Sequence, residues 1–131
     1  MQPEQALAVV RAWLEAVNCQ DADRLVALSD PDIEILGPRG TGRGHRLLCD
    51  WLCRAGLTLE TRRTFVKGSV VVVAQHGAWR SPESGEVTGE ADVASLFRVA
   101  GQRVVQFARY DTLDQALRAA GLHPQEEVPS N

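Results

Sequence analysis

A chain of 131 residues, with 44% hydrophobic and 24% charged residues, has the size and composition of one globular domain with a single core. Its 14 basic and 17 acidic residues give a net charge of −3, which argues against a surface built to attract nucleic acid or an anionic membrane. No apolar run approaches the roughly 20 residues of a membrane-spanning helix. Met1–Glu4 lacks the features of a secretory signal, and a cytoplasmic location is the default expectation.

Two helices are predicted at the start of the chain. Apolar residues recur at helical spacing from Pro3 to Val17, which predicts the first helix. Asp21 is a suitable N-cap for a second, short helix. Pro31 ends that helix, because the residue before a proline is pushed out of the α region.

A short strand, a glycine-rich loop and a third helix follow. Residues 33–36 have the pattern of a strand, and residues 37–44 form the loop. Leu48, Trp51 and Leu52 share one helical face, and Gly56 is placed to end the helix in the left-handed conformation.

The second half of the chain predicts an antiparallel meander. Four strands are expected at 57–66, 70–79, 87–99 and 103–110, with short turns between them. A last helix at 113–120 stops at Gly121, and residues 123–131 are expected to form a flexible tail beyond a single domain of residues 1–122. This order predicts an α+β fold with the helices packed on one face of the sheet.

Several stretches carry a resemblance to a known family. They are RAWLEAVNCQD at 11–21, Gly42-Arg43 after Pro38, SLFRVAGQRV at 95–104, and Tyr110-Asp111 before the final helix. With them the chain resembles the SnoaL-like proteins of the NTF2-like superfamily over residues 3–122. The resemblance implies a cone-shaped curved antiparallel β-sheet packed on three N-terminal helices, with a short C-terminal helix and a pocket between sheet and helices.

The resemblance also implies which side chains face the pocket. They are Gln75, Gly77 and Trp79 from one strand, Val93 and Ser95 from the next, and Gln106, Ala108 and Tyr110 from the last. The ligand-binding residues expected on this basis are Trp13, Trp51, Gln75, Trp79, Ser95, Gln106 and Tyr110. The polar members can either bind a ligand or bond to one another and to trapped water.

Two activities known in the superfamily are not expected. Ketosteroid isomerases use a carboxylate base, a tyrosine and a protonated acid, and the matching positions here are Gly37, Trp13 and Val93. Limonene epoxide hydrolases use two aspartates and an arginine, and the matching positions are Gln75, Gly77 and Ala108.

Asp111 is the one catalytic candidate. SnoaL-type cyclases use a carboxylate on the last strand as base, and Asp111 lies near that position. The alternative is that Asp111 caps the final helix, a role for which Asp114 competes.

No metal site or cofactor site is expected. His45, Cys49 and Cys53 share a helix, but the helical rise between the first and last, roughly 12 Å, is too long for one zinc ion to take all three. With Cys19 the chain has three cysteines, and their odd number and irregular spacing do not indicate a disulfide framework. Arg39 and Arg43 could hold an anion, but a pocket rim is the preferred interpretation of their loop.

An apolar outer sheet face suggests a partner. Val70, Val72, Leu96 and Phe107 are expected there beside Asp92 and Arg109, which is more apolar surface than solvent tolerates comfortably. A homodimer through this face is therefore predicted.

Three functions remain open. The first is a protein that binds a small, mainly apolar molecule in the cone pocket. The second is an enzyme that acts on a carbonyl or polyketide-like substrate with Asp111 as base. The third is a non-catalytic dimeric interaction module whose pocket is filled by side chains.

Overall fold

The computed structural model describes residues 2–37, 40–81 and 83–128, with the side chains of 54 and 55 left out. The helices are α1 (Pro3–Asn18), α2 (Ala22–Ala27), α3 (His45–Ala55) and α4 (Leu113–Ala120), with a single 3₁₀ turn at Pro124–Glu126. The strands are β1 (Ser29–Gly37), β2 (Gly40–Arg43), β3 (Leu57–Lys67), β4 (Val70–Arg80), β5 (Val87–Ala100), β6 (Arg103–Tyr110) and β7 (Glu127–Val128). No helix in these ranges is long and apolar enough to cross a membrane.

The strands form one sheet in the order β2-β1-β6-β5-β4-β3-β7. Strands β3 to β6 are the antiparallel meander that the sequence predicts. Strand β1 joins β6 in parallel, so the sheet is mixed. No hairpin links these two strands, and so no turn signal in the sequence sets their relative direction. The α+β prediction is confirmed.

Two short strands lie where the sequence predicts loop or tail. The first, β2, contains two glycines in four residues and pairs with β1 inside the predicted loop. The second, β7, pairs with β3, where Arg63 donates to both carboxylate oxygens of Glu127 at 2.8 and 3.0 Å. Residues 124–128 are therefore attached to the sheet rather than separate from it. The rest of the expected tail, 129–131, lies outside the described residues.

The third helix ends where predicted, and the reason is steric. Gly56 has φ +53°, a backbone conformation that favours glycine. A Cβ at this position would meet the carbonyl oxygen of Arg80 at 2.3 Å. The Arg80 N–H donates to the Gly56 carbonyl at 2.9 Å, so the helix end is tied to the end of β4.

The sheet has a covered core on each side. We call the side packed by α1–α3 the inner face and the side packed by α4 the outer face. The inner core includes Trp13, Val73 and Phe97, and the outer core includes Val72 and Leu117. The prediction that the helices pack on one face is wrong for α4, since its apolar stripe covers the outer face.

Candidate functional site

Strands β4 and β5 present polar groups to the inner face. Val73 and Phe97 belong to the inner core, and alternation from them places Gln75, Trp79 and Ser95 on the same side. This is the orientation that the resemblance implies for both strands. Whether these side chains contact a ligand stays a prediction.

Strand β6 has the opposite orientation to the one expected. Phe107 lies on the inner face, with its ring centroid 4.9 Å from that of Trp13. Ala108 is buried in the outer core against α4. Alternation then puts Gln106 and Tyr110 on the outer face and Arg109 on the inner face.

A β-bulge causes this one-residue difference. The two-residue turn pairs Val99 with Val104, but Arg98 pairs with Gln106, so β6 holds one extra residue, Val105. An unbroken hairpin would place Ala108 opposite Ser95. The bulge places Arg109 there instead, and an arginine replaces an alanine on the inner face.

Gln106 and Tyr110 contact other residues of the chain on the outer face. The amide of Gln106 donates to Glu34, and its oxygen accepts from Arg98 Nε at 2.9 Å. Tyr110 is half-buried against the core beneath α4. Their expected place on the inner pocket wall is therefore corrected.

The apolar outer face is covered within the chain. Val72 and Leu96 are 0% and 2% exposed, because Ala116 and Leu117 of α4 pack in the same core. Phe107 and Arg109 lie on the other face, and so the expected outer set is corrected for both. A dimer is no longer needed to bury these residues, and it stays a prediction.

One half of the inner face is closed core. Trp13 is 0% exposed, and its ring contacts those of Trp51, Phe97 and Phe107 at centroid distances of 6.1, 5.2 and 4.9 Å. Its indole N–H donates to Ser29 Oγ at 2.9 Å. The Ser29 hydroxyl then donates to a backbone carbonyl of α2 at 2.7 Å. Every polar atom in this chain of hydrogen bonds has a partner, and Trp13 is a core residue.

The other half carries a buried amide that is only half satisfied. Gln75 and Ser95 are each 1% exposed, and the Ser95 hydroxyl donates to Gln75 Oε1 at 2.8 Å. The Gln75 Nε2 group is buried and has no hydrogen-bond partner among the described residues. A buried donor without a partner costs about 1–3 kcal/mol of folding free energy.

Arg109 completes this half of the inner face. It lies opposite Ser95 on the neighbouring strand, and its guanidinium carbon lies 5.4 Å from the centroid of the Trp79 ring. Its Nε group is buried without a hydrogen-bond partner in the described part of the chain. No carboxylate of the described residues forms a salt bridge with it. Cation–π contact with Trp79 contributes about 0.5–1 kcal/mol and leaves the charge without a counterion.

Asp111 directly follows β6. It is exposed and lines a groove of about 410 Å³ beside the start of α4, and the inner-face residues Gln75 and Val93 line the same groove. The groove is lined by Arg62, Ala74, Gln75, Asp92, Val93, Asp111, Thr112 and Leu113. Asp111 does not cap α4, because Thr112 does so through a capping box with Gln115. The capping alternative for Asp111 and Asp114 is therefore wrong.

The remaining sequence candidates have structural partners or stand apart. His45 Nε2 lies 2.9 Å from the Ser29 carbonyl oxygen, and all three cysteines are free thiols. Within the described ranges, no group of three or more His, Cys, Asp and Glu residues is arranged to hold a metal ion. Arg43 forms a salt bridge with Glu34 at 3.1 Å. Arg39 lies outside the described residues.

The family comparison agrees with the resemblance seen in the sequence. A model of the SnoaL-like domain matches residues 10–107, which is more than half of the chain. No curated protein matches the chain.

Solved structures share the fold at low sequence identity. An NTF2-like protein from Burkholderia xenovorans is 25% identical, with a TM-score of 0.69 over 92% of this chain and 98% of the other. A candidate polyketide cyclase from Sinorhizobium meliloti is 18% identical, with a TM-score of 0.68 over 83% and 99%. TerC, co-crystallised with polyporic acid, is 17% identical, with a TM-score of 0.71 over 88% and 97%.

These matches span nearly the full length of the structures compared, so the likeness concerns a whole domain. At such identities the solved structures establish the fold and leave the chemistry to this chain's own residues. By its match to the domain model, the chain belongs to the SnoaL-like family of the NTF2-like superfamily.

Proposed function

We propose that the chain binds a small, mainly apolar organic molecule at the inner face, beside Gln75, Trp79, Ser95 and Arg109. The observation that carries this proposal is the pair of buried, unpaired donors, Gln75 Nε2 and Arg109 Nε. Buried polar atoms normally have partners, and an exception calls for an explanation such as a bound water, an ion or a ligand. A few convergent polar groups on an otherwise apolar wall are typical of small-molecule sites.

The surroundings support a ligand with an apolar body. Leu57, Leu59 and Val93 are buried on the same face, and Trp51 and Trp79 are half-buried. TerC was co-crystallised with a small organic molecule, polyporic acid, so a protein of this fold can hold one. That likeness does not transfer the ligand, which this chain's own residues must select.

Calorimetry with 2-naphthamide tests the proposal, because this neutral probe joins an apolar body to a carbonyl acceptor. We expect measurable binding that Gln75→Leu weakens by about fivefold or more, since the variant removes a hydrogen-bond donor. Asp111→Asn is the control, because it changes the carboxylate of the groove that Gln75 also lines and keeps both unpaired donors. Circular dichroism must show both variants folded.

Two results would contradict the inner-face site. The first is no heat of binding for the unmodified protein. The second is binding that Asp111→Asn abolishes and Gln75→Leu leaves unchanged, which would assign binding to Asp111 and not to the two unpaired donors.

A second candidate function is proton abstraction from a carbonyl compound by Asp111. Its support is the position of Asp111, whose exposed carboxylate lines the 410 Å³ groove together with Arg62 and Thr112. A carboxylate base must reach the hydrogen on the carbon next to a carbonyl. Strands β3 to β6 offer no such base on the inner face, since none of their described residues that alternate onto it is Asp or Glu.

Deuterium exchange into 2-tetralone, followed by NMR, tests this second candidate. Catalysed exchange that is lost in Asp111→Asn and kept in Asp114→Asn would support it. Asp114 is a matched control because it is an exposed carboxylate three residues further along, in the first turn of α4, and forms a salt bridge with Arg118 at 3.0 Å. Exchange no faster than in buffer, or equal exchange in both variants, would contradict it.

A further inference from the structure

The two unpaired atoms on the inner face are of one kind. Gln75 Nε2 and Arg109 Nε are both donors, and both are buried without a partner among the described residues. An amide nitrogen and a guanidinium have no acceptor capacity. Whatever satisfies them must therefore offer lone pairs.

Ser95 sets the orientation of the amide. Its hydroxyl donates to Gln75 Oε1 at 2.8 Å, which occupies the oxygen and leaves the NH₂ end as the free group. Ser95 also lies opposite Arg109 in the β5–β6 pairing. The serine therefore lies between the two donors on adjacent strands.

Charge narrows the class of acceptor. The guanidinium of Arg109 is permanently charged, and no described carboxylate forms a salt bridge with it. The guanidinium carbon lies over the Trp79 ring, 5.4 Å from its centroid. A cation–π contact does not use the guanidinium N–H groups as hydrogen-bond donors, so they can still donate to a planar oxyanion.

We propose that the inner-face site selects an organic acid: an apolar molecule whose carboxylate, or equally acidic enol oxygen, accepts from Arg109 and from the Gln75 amide. Trp79 and Ser95 are positioning residues, the first for the guanidinium and the second for the amide. This inference rests on the proposed binding function and specifies the polar group of its ligand. Cationic amines are disfavoured beside Arg109, because its guanidinium is positively charged.

A matched pair of probes tests the selection. 2-Naphthoate and 2-naphthamide share their apolar body and differ in the charge of the head group. We expect the unmodified protein to bind the acid at least about tenfold more tightly, because hydrogen bonds to charged groups are the stronger ones. Calorimetry at neutral pH measures both affinities.

Variants assign the preference to Arg109. Arg109→Gln should remove the acid–amide difference and leave amide affinity within about twofold, because it removes the charge and keeps a donor. Arg103→Gln is the control, since Arg103 is an exposed arginine on the same strand. It should keep the full preference. Ser95→Ala should weaken both probes equally, as a residue acting through Gln75 would.

Each failure has its own signature. If neither probe binds, the proposed binding function fails. If both bind with equal affinity, binding stands and selection of an acid is wrong. If the acid is preferred and Arg109→Gln keeps that preference, the charge that selects it lies elsewhere and the role assigned to Arg109 is wrong.

Discussion

The two halves of the inner face treat their buried polar atoms differently. Around Trp13, the indole donates to Ser29 and Ser29 donates onward to the backbone. Around Arg109, two buried donors have no partner among the described residues. Both halves belong to one sheet face, and the Trp13 half shows that this face can fold with its buried polar atoms paired. The unpaired donors of the Arg109 half are therefore not a requirement of the fold. Polar groups with hydrogen-bond partners stabilise the fold. Two unpaired donors need acceptor atoms, which a bound ligand would supply.

Truncating the tryptophans should separate the halves most strongly. Trp13→Ala should lower the free energy of unfolding by about 3–5 kcal/mol, because it removes a fully buried ring from the core. Trp79→Ala should cost clearly less, since Trp79 is only half-buried. Urea denaturation measures both values. Equal losses would show that the two halves contribute alike to stability.

Substitution of Ser29, which accepts the hydrogen bond of the Trp13 indole, should give the next largest loss of folding stability. Ser29→Ala leaves the buried Trp13 indole N–H without its acceptor and should cost about 1–3 kcal/mol. Ser69→Ala is a suitable control, because Ser69 is half-buried at the β3–β4 turn. Thermal and urea unfolding of both variants give the comparison. A loss no greater for Ser29→Ala than for Ser69→Ala would remove the stabilising role of this hydrogen bond.

Arg109→Met should leave stability unchanged or raise it by up to about 1 kcal/mol. The methionine keeps the apolar stem and removes a buried donor that has no partner among the described residues. Binding of an organic acid should be lost in the same variant. A destabilisation above about 2 kcal/mol would identify Arg109 as a structural residue and weaken its assignment to a ligand.

The smallest effect belongs to an exposed cluster outside both halves. His76 Nδ1 lies 3.0 Å from Asp92, and Nε2 lies 3.2 Å from Glu90. These hydrogen bonds, the one with Asp92 first, raise the pKa of His76 above its ordinary 6.5. A raised pKa stabilises the fold below pH 6.5, and the contribution is lost as pH rises through the folded-state pKa.

Comparison of unmodified protein with His76→Gln at low and high pH measures this contribution. The unmodified protein should be the more stable at about pH 5.5, and the difference should shrink by about pH 9. A difference independent of pH would refute the linkage.

Sequence patterns predicted the elements better than the orientation of one of them. The helices and the β3–β6 meander follow from periodicity, capping residues and turns, and β4 and β5 have the expected inner face. The orientation of strand β6 could not be predicted from its sequence, because the strand has apolar residues on each of its two sides. Both faces of the sheet are covered, and Val104, Phe107 and Ala108 are all buried. The bulge at Val105 then shifted the register by one residue, and no residue type marks that position.

The candidate site was predicted in part for the same reason. Gln75, Trp79 and Ser95 were expected together on the inner face. Arg109 was assigned to the outer face, where an exposed arginine is unremarkable. Its place in the candidate site follows from its pairing with Ser95 and its contact with Trp79, which depend on the tertiary structure and do not show in the sequence. The strands β2 and β7 escaped prediction because their few residues carry little apolar pattern.

The most direct test of the central claim is a ¹⁵N NMR titration with 2-naphthoate that follows side-chain signals in both halves at once. We expect large shifts for the Gln75 amide and for the Trp79 indole, which lies against Arg109. The Trp13 indole signal should stay nearly constant, because that N–H is already bonded to Ser29. Shifts confined to Asp111 and Thr112, or no shifts at all, would contradict binding at the two unpaired donors.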